Sequence, residues 1–144
     1  MKIEKMTFAH LDGVCALEAA CFVHPWSRES LQNELQNDNS LFYVAGESGE
    51  IIGYIGMNFV LDEGYIYNVA VAENHRKKGI GSALIRTLVT YAKKNSFSFL
   101  TLEVRESNIA ARSLYEHFGF IKVGERKSYY SDPVENAVLM TLYF

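Results

Sequence analysis

The chain has 144 residues, 49% of them apolar and 22% charged, and its formal net charge is −3. That suits one soluble domain, 1–144, with a hydrophobic core of its own. No apolar run in the sequence approaches the length of a membrane span, and a mildly acidic chain is a poor fit to general nucleic-acid binding, which rests on a basic face.

The two cysteines, Cys15 and Cys21, form no CxxC pair and are expected as thiols in a reducing compartment. The first twenty residues lack the basic start and apolar run of a signal peptide, so a cytoplasmic location is expected.

In chain order, "KIEKM" alternates as a short strand. "TFAHLDGVCALEAACF" places Phe8, Leu11, Val14, Cys15 and Leu17 at helical spacing, with Thr7 as N-cap. "VHPWS" breaks that pattern at Pro25, and Ser27 can cap a second helix, "RESLQNELQN". "SLFYVAGE" and "EIIGYIGMNFVL" are strands joined by a hairpin turn around Gly49. "GYIYNVAVAE" is the next strand. "GSALIRTLVTYAKKN" is a long helix with Leu84, Ile85, Leu88 and Tyr91 on one stripe. "SFLTLEV" returns to strand, and "NIAARSLYEHF" is a helix stopped by Gly119. "FIKVGERKSYY" and "NAVLMTLYF" are final strands turning at Asp132-Pro133. The order β-α-α-β-β-β-α-β-α-β-β predicts an α/β (α+β) fold. It has a mixed sheet of about seven strands and four helices, with helices on both faces.

"HRKKGIGSALI" stands between a strand and the long helix. A helix start offers unpaired N–H groups and about half a positive charge. Gly79 and Gly81 let the backbone approach a bulky anion, and Arg76, Lys77 and Lys78 add charge, with Ile80 and Ser82 in the same turn. The alternative is a solvated basic helix start. A Walker loop needs Gly-Lys-Ser/Thr, but Gly81 is followed by Ser82 and Ala83. A dinucleotide fingerprint needs a third glycine where Leu84 stands.

What remains, Arg-x-x-Gly-x-Gly after a strand and opening a helix, resembles the signature of the GNAT superfamily of acetyl-CoA-dependent N-acetyltransferases. The resemblance covers nearly the whole chain and implies the GNAT fold with a mostly antiparallel sheet. It implies that residues 76–82 hold the diphosphate of acetyl-CoA. It also implies that the strand at Val69, Ala70 and Val71 splays from its neighbour and pairs its backbone with the pantetheine arm. The side chains of these three read as ordinary core, and both roles are compatible.

"TLEVRESNIAARSLYEHFGF" adds chemistry. Leu100, Leu102 and Val104 share one strand face, and Thr101 and Glu103 the other. A carboxylate in an apolar strand is costly unless it faces a wet or polar cleft. Glu103 is therefore either a solvated edge residue or a general base. Asn108 is a natural N-cap, and the family's Asn here also contacts the cofactor. Tyr115 shares a stripe with Ala111 and Phe118 and reads as core by spacing. The resemblance instead makes it the general acid beside the cofactor sulfur.

"HPWS" at 24–27, "LEVRESN" at 102–108 and "ERKSYY" at 125–130 resemble the RimI branch, which acetylates the N-terminal alanine of a small-subunit ribosomal protein. That resemblance implies a peptide-binding role for Trp26, Tyr129 and Tyr130, whose alternative is aromatic packing. It implies a protein or peptide N-terminus as partner, with no direct nucleic acid and no membrane. His10, His24, His75 and His117 lack metal-ligand spacing, and no metal is expected.

Direct transfer in a ternary complex is the expected mechanism, with Glu103 as base and Tyr115 as acid. Deprotonating an α-amine of pKa near 7.8 at pH 7 costs about 1 kcal/mol, and a lysine near 10.4 about 4.6 kcal/mol, which favours an α-amine acceptor. A lysine or small-amine acceptor remains an alternative. So does a non-catalytic acetyl-CoA-binding module, although such a module has no need of Glu103 and Tyr115 together.

Overall fold

The computed structural model describes every residue from Met1 to Phe144. Its strands are β1 (Lys2–Lys5), β2 (Ser40–Glu47), β3 (Glu50–Val60), β4 (Glu63–Val71), β5 (Phe99–Arg105), β6 (Ile121–Tyr130) and β7 (Glu135–Tyr143). Its helices are α1 (Leu11–Cys21), α2 (Arg28–Leu35), α3 (Ile80–Lys94) and α4 (Ile109–His117). The chain order is the expected one, and most boundaries move by one or two residues.

The start of the first helix differs. Phe8–His10 form a 3-10 turn ahead of α1. The His10 ring accepts the Thr7 N–H at 2.9 Å, which closes the turn locally. Phe8 is thereby 52% exposed and leaves the apolar stripe, while Leu11, Val14 and Leu17 are buried as expected.

The seven strands form one sheet in the order β1-β2-β3-β4-β5-β7-β6. β7 therefore lies between β5 and β6. Every pair is antiparallel except β4 with β5. That parallel pair is short: Glu63, Gly64 and Tyr65 meet Phe99, Leu100 and Thr101. Past Tyr65 the two strands part, leaving a gap in the middle of the sheet.

Side-chain alternation serves both faces. Phe42, Val44 and Tyr54 pack with Leu11, Val14, Leu17 and Leu31 beneath α1 and α2. On the opposite face, Ile55, Met57, Leu100 and Leu102 pack against α3. Ile80, Leu84, Ile85, Leu88, Val89 and Ala92 of α3 are all buried. Each buried Leu or Ile contributes about 1.5–3 kcal/mol, so α3 is held firmly and its N-terminus is fixed beside the gap. No helix is long and apolar enough to cross a membrane.

Candidate active site

The gap opens into a continuous cleft. Its α3 end, about 580 Å³, is lined by Val69, Ala70, Val71, Arg76, Lys77, Gly79, Ile80, Gly81, Ser82, Asn108 and Tyr115, among others. A middle section of about 640 Å³ shares Val69, Asn108 and Tyr115 with it and adds Trp26, Glu103, Tyr129 and Tyr130. A third section of about 410 Å³ continues past Glu103, Arg126, Tyr129 and Tyr130. The predicted site residues thus line one passage, with Lys78 outside it.

The α3 end is built from backbone. Gly79 is the N-cap at φ 80°, a left-handed conformation that suits glycine, and a Cβ there would meet open space. A Cβ at Gly81 would come within 3.3 Å of Leu114. Small residues thus leave the N–H groups of the first turn accessible to an anion. Arg76 is less free than expected. Its Nε donates to the Val71 carbonyl at 3.0 Å, and its guanidinium lies 3.8 Å from the Cys21 sulfur. It braces the wall between strand and turn.

Beyond the short parallel pair, one edge of β4 has no partner strand. Ala72 N–H donates to Ile52 on the β3 side, while the Val71 carbonyl faces Arg76. Alternation along the strand then points the peptide groups of Val69 and Val71 into the gap and those of Ala70 toward β3. Ala70 lines the cleft, but its backbone belongs to the sheet. This free edge and the glycine turn suit a long ligand with an amide-bearing arm and a diphosphate, which is the chemistry of acetyl-CoA.

Tyr115 is held by the end of its helix. Phe120 N–H donates to the Tyr115 carbonyl at 3.1 Å and Gly119 N–H to the Glu116 carbonyl at 2.9 Å. These are the two bonds of a Schellman motif, which places Gly119 at φ 96°. The Phe120 ring lies 5.7 Å from the Tyr115 ring, the apolar contact that accompanies such a motif. "LYEHFGF" is thus a helix stop that fixes its tyrosine. Tyr115 is 8% exposed. Burial first, and Tyr130 second, push its phenol well above the ordinary range. At the other end of α4, Asn108 Oδ1 accepts the Ala111 N–H at 3.2 Å, the predicted cap.

Glu103 faces the cleft, opposite to the buried Leu102 and Val104. Its Oε1 pairs with Arg126 Nε at 3.2 Å, while its buried Oε2 has no partner. The Glu103 charge first, burial second and a loose approach of the Tyr129 hydroxyl to the same carboxylate third raise the Tyr129 phenol, although no hydrogen bond to Oε2 is formed. The Tyr130 phenol is pushed up to about 12, by burial first and Glu103 second. Tyr129 and Tyr130 are consecutive yet both line the cleft. The reason is a bulge: Arg126 pairs with Ala137 and Tyr130 with Glu135, so three residues of β6 face one of β7. Asn136 secures it by accepting the Ser128 N–H at 2.9 Å. Such bulges re-aim side chains.

Trp26 also lines the cleft, and its ring packs edge-on to Tyr67 at 4.9 Å. The aromatic packing expected as its alternative role is present, and its place on the wall leaves a peptide-binding role compatible. Sequence reasoning missed four residues here. Arg126 on β6 reaches Glu103 on β5 across the intervening β7, a strand order that chain order does not reveal. Cys21 lies far from the motifs in sequence but lines the cleft. His24, given no role, contacts Asp132 at 2.8 Å, joining the loop after α1 to the β6–β7 turn. Glu18 is wholly buried and accepts from Trp26 N–H and Tyr54 Oη. Its signal was available, since 11, 14 and 18 lie on one helical stripe.

A basic glycine turn at a helix start, an open strand edge, a carboxylate and a tyrosine line one passage, an arrangement that suits group transfer. The chain belongs to the acetyltransferase (GNAT) family, whose family model matches residues 11–120. It is 38% identical over 130 residues to the [ribosomal protein bS18]-alanine N-acetyltransferase of Haemophilus influenzae, covering 88% of each chain. It is 31% identical over 142 residues to the Escherichia coli enzyme of the same name, covering 97% of this chain and 95% of the relative. The crystal structure of an Escherichia coli ribosomal-protein-alanine N-acetyltransferase superposes with a TM-score of 0.92 at 30% identity, covering 99% and 92%. The resemblance to the RimI branch therefore holds, and the protein is an acyltransferase. The family uses acetyl-CoA. A GNAT acetyltransferase of Elizabethkingia anophelis with acetyl-CoA bound shares the fold, with a TM-score of 0.77 at 23% identity, covering 99% and 97%.

Proposed function

We propose that this enzyme acetylates the N-terminal α-amine of a protein, with the N-terminal alanine of a small-subunit ribosomal protein as its acceptor. It would act in the cytoplasm. The names of the relatives support the acceptor, and the site supports the chemistry. Acetyl-CoA supplies the activated acetyl thioester. The N–H groups of residues 79–82 and the Lys77 ammonium hold the diphosphate end. Val69 and Val71 peptide groups take the amide-bearing arm and polarise the reacting carbonyl. Asn108 presents its amide at the same wall.

Glu103 removes a proton from the incoming ammonium, directly or through one water. Arg126 holds one carboxylate oxygen, so the other is left for this task. Tyr115 then donates its proton to the departing sulfur, and the phenolate takes up the remaining extra proton of the new amide nitrogen. At ordinary values tyrosine and a thiol differ by about 1.5 pKa units, a gap of about 2 kcal/mol. Burial raises the Tyr115 phenol further, but the same dry wall also raises the basicity of a thiolate. The two effects offset, and no covalent acyl-enzyme is needed.

The observation that carries this reading is the unpaired Oε2 of Glu103, buried in the passage that Tyr115 also lines. The test is incubation with acetyl-CoA and peptides copying ribosomal N-termini, read by mass spectrometry with fragment assignment. One acetyl group on an α-amine, favouring Ala at the first position, supports the reading. Acetylation of lysine side chains alone would overturn the acceptor assignment.

A further inference from the structure

Glu18 is the most anomalous buried group outside the reacting residues. It is 0% exposed and is buried on α1 together with Leu11, Val14 and Leu17. It sits near the C-terminal end of α1, where the helix dipole disfavours a negative charge, and no basic residue occupies the last turn. No cation pairs with it. Its two oxygens accept only neutral donors, Trp26 N–H at 2.9 Å and Tyr54 Oη at 2.8 Å. A carboxylate in such surroundings is a poor means of gaining stability, since an apolar side chain of similar volume serves as well or better.

What Glu18 does accomplish is local. The 22–27 loop crosses the acceptor side of the cleft and contributes Phe22, Val23, His24 and Trp26 to its wall. Glu18 grips the backbone of that loop at Trp26. The Trp26 ring then rests against Tyr67 at 4.9 Å, and Tyr67 lines the same wall. Tyr67 is in turn tied to Glu34 Oε2 at 3.1 Å. The rim contact between His24 and Asp132 is solvent-exposed, and such pairs hold weakly. The buried contact to Glu18 is therefore the firm one.

We propose that Glu18 is a positioning residue for the acceptor: its buried carboxylate fixes Trp26 and so preforms the loop that receives the peptide. This rests on the proposed acceptor side of the cleft. Pre-organisation lowers the ordering cost of binding, so its loss weakens acceptor binding without touching the chemistry.

Trp26 is the only tryptophan of the chain, so its fluorescence reports the loop even without an acceptor. The variants are Glu18→Met, which fills the space without an acceptor atom, Glu18→Gln, which keeps one, and Tyr54→Phe, which leaves the grip on Trp26. In Glu18→Met with unchanged circular dichroism, acrylamide quenching of Trp26 should rise and its emission should shift red. KM for an N-terminal peptide should rise roughly fivefold, as for one or two side chains losing pre-organisation, with KM for acetyl-CoA and kcat unchanged. Glu18→Gln should restore most of both signals. Tyr54→Phe should lower Tm but leave quenching at the wild-type level. A folded Glu18→Met with wild-type quenching, or equal rises in both KM values, overturns the proposal. If the wild type acetylates no peptide, the acceptor reading fails while the quenching comparison still decides the role of Glu18.

Discussion

Burial acts on Glu103 and Tyr115 to different ends. Tyr115 is enclosed without a charged partner, and its raised phenol stays protonated, as the proposed acid role requires. Glu103 pairs one oxygen with Arg126 and leaves its other, buried oxygen without a hydrogen-bond partner, as the proposed base role requires. Removing each group should therefore fail in a distinct way. Glu103→Gln should lower kcat by about 10²–10³-fold, within the range for one acid–base group. Its loss should be greatest at low pH, because only the acceptor already deprotonated, with a pKa of about 7.8, can then react. Tyr115→Phe should lower kcat by about 10²-fold with KM for acetyl-CoA unchanged. Its pH–rate profile should keep the wild-type shape on the acid side. A Glu103→Gln profile that only scales down would count against the base, and unchanged turnover in Tyr115→Phe would remove the acid. The burial of Tyr115 and the helix stop that holds it were legible because they are local, whereas its proposed acid role came only from the family resemblance. The approach of Arg126 was not legible, because it depends on strand order.

Among elements, the local ones could be read in advance. Ser27 and Asn108 cap α2 and α4 as their residue types predict, and Gly119 stops α4. The β6 bulge could not be read, since nothing in "ERKSYY" fixes where Ser128 leaves the ladder. The β6–β7 turn that follows is tied to β5. Arg105 donates to the carbonyls of Ser131 and Pro133 and to Glu135, and its guanidinium lies 4.5 Å above the Tyr130 ring. Ser107, by its hydroxyl first and its N–H second, holds the Glu135 carboxyl below the ordinary value, with Arg105 assisting. A depressed folded value stabilises the protein above the unfolded carboxyl pKa, about 4.3. That stability is lost as pH falls through the folded value. Thermal unfolding from pH 7 to pH 3 should thus show Glu135→Gln less stable than wild type at neutral pH, with the difference closing in acid. A constant difference across the range would mean that the Glu135 charge plays no part.

For the molecule as a whole, the main event is the parting of β4 and β5 after three paired residues. Neither strand signals it in composition; "YNVAV" reads as any buried strand, and only the family resemblance anticipated the gap. The splay lets a chain of net charge −3 present a local cationic end, at the start of α3, to a polyanionic donor. The global charge opposes such a donor, so the nearby cations must outweigh it. They are not equivalent. Lys77 lines the cleft, Lys78 does not, and Arg76 is engaged with Val71. Lys77→Ala should therefore raise KM for acetyl-CoA roughly fivefold, the effect of about 1 kcal/mol for an exposed charge contact, with kcat unchanged. Lys78→Ala should do less, acting only through the long-range field. Salt separates the two further, because the Debye length falls from about 10 Å at 0.1 M to about 3 Å at 1 M. The Lys78→Ala effect should vanish at high salt, while part of the Lys77→Ala effect persists because contact pairs are screened less. Steady-state KM values at both salt concentrations decide it: equal effects, vanishing together, would mean that the α3 end attracts the donor by its field alone.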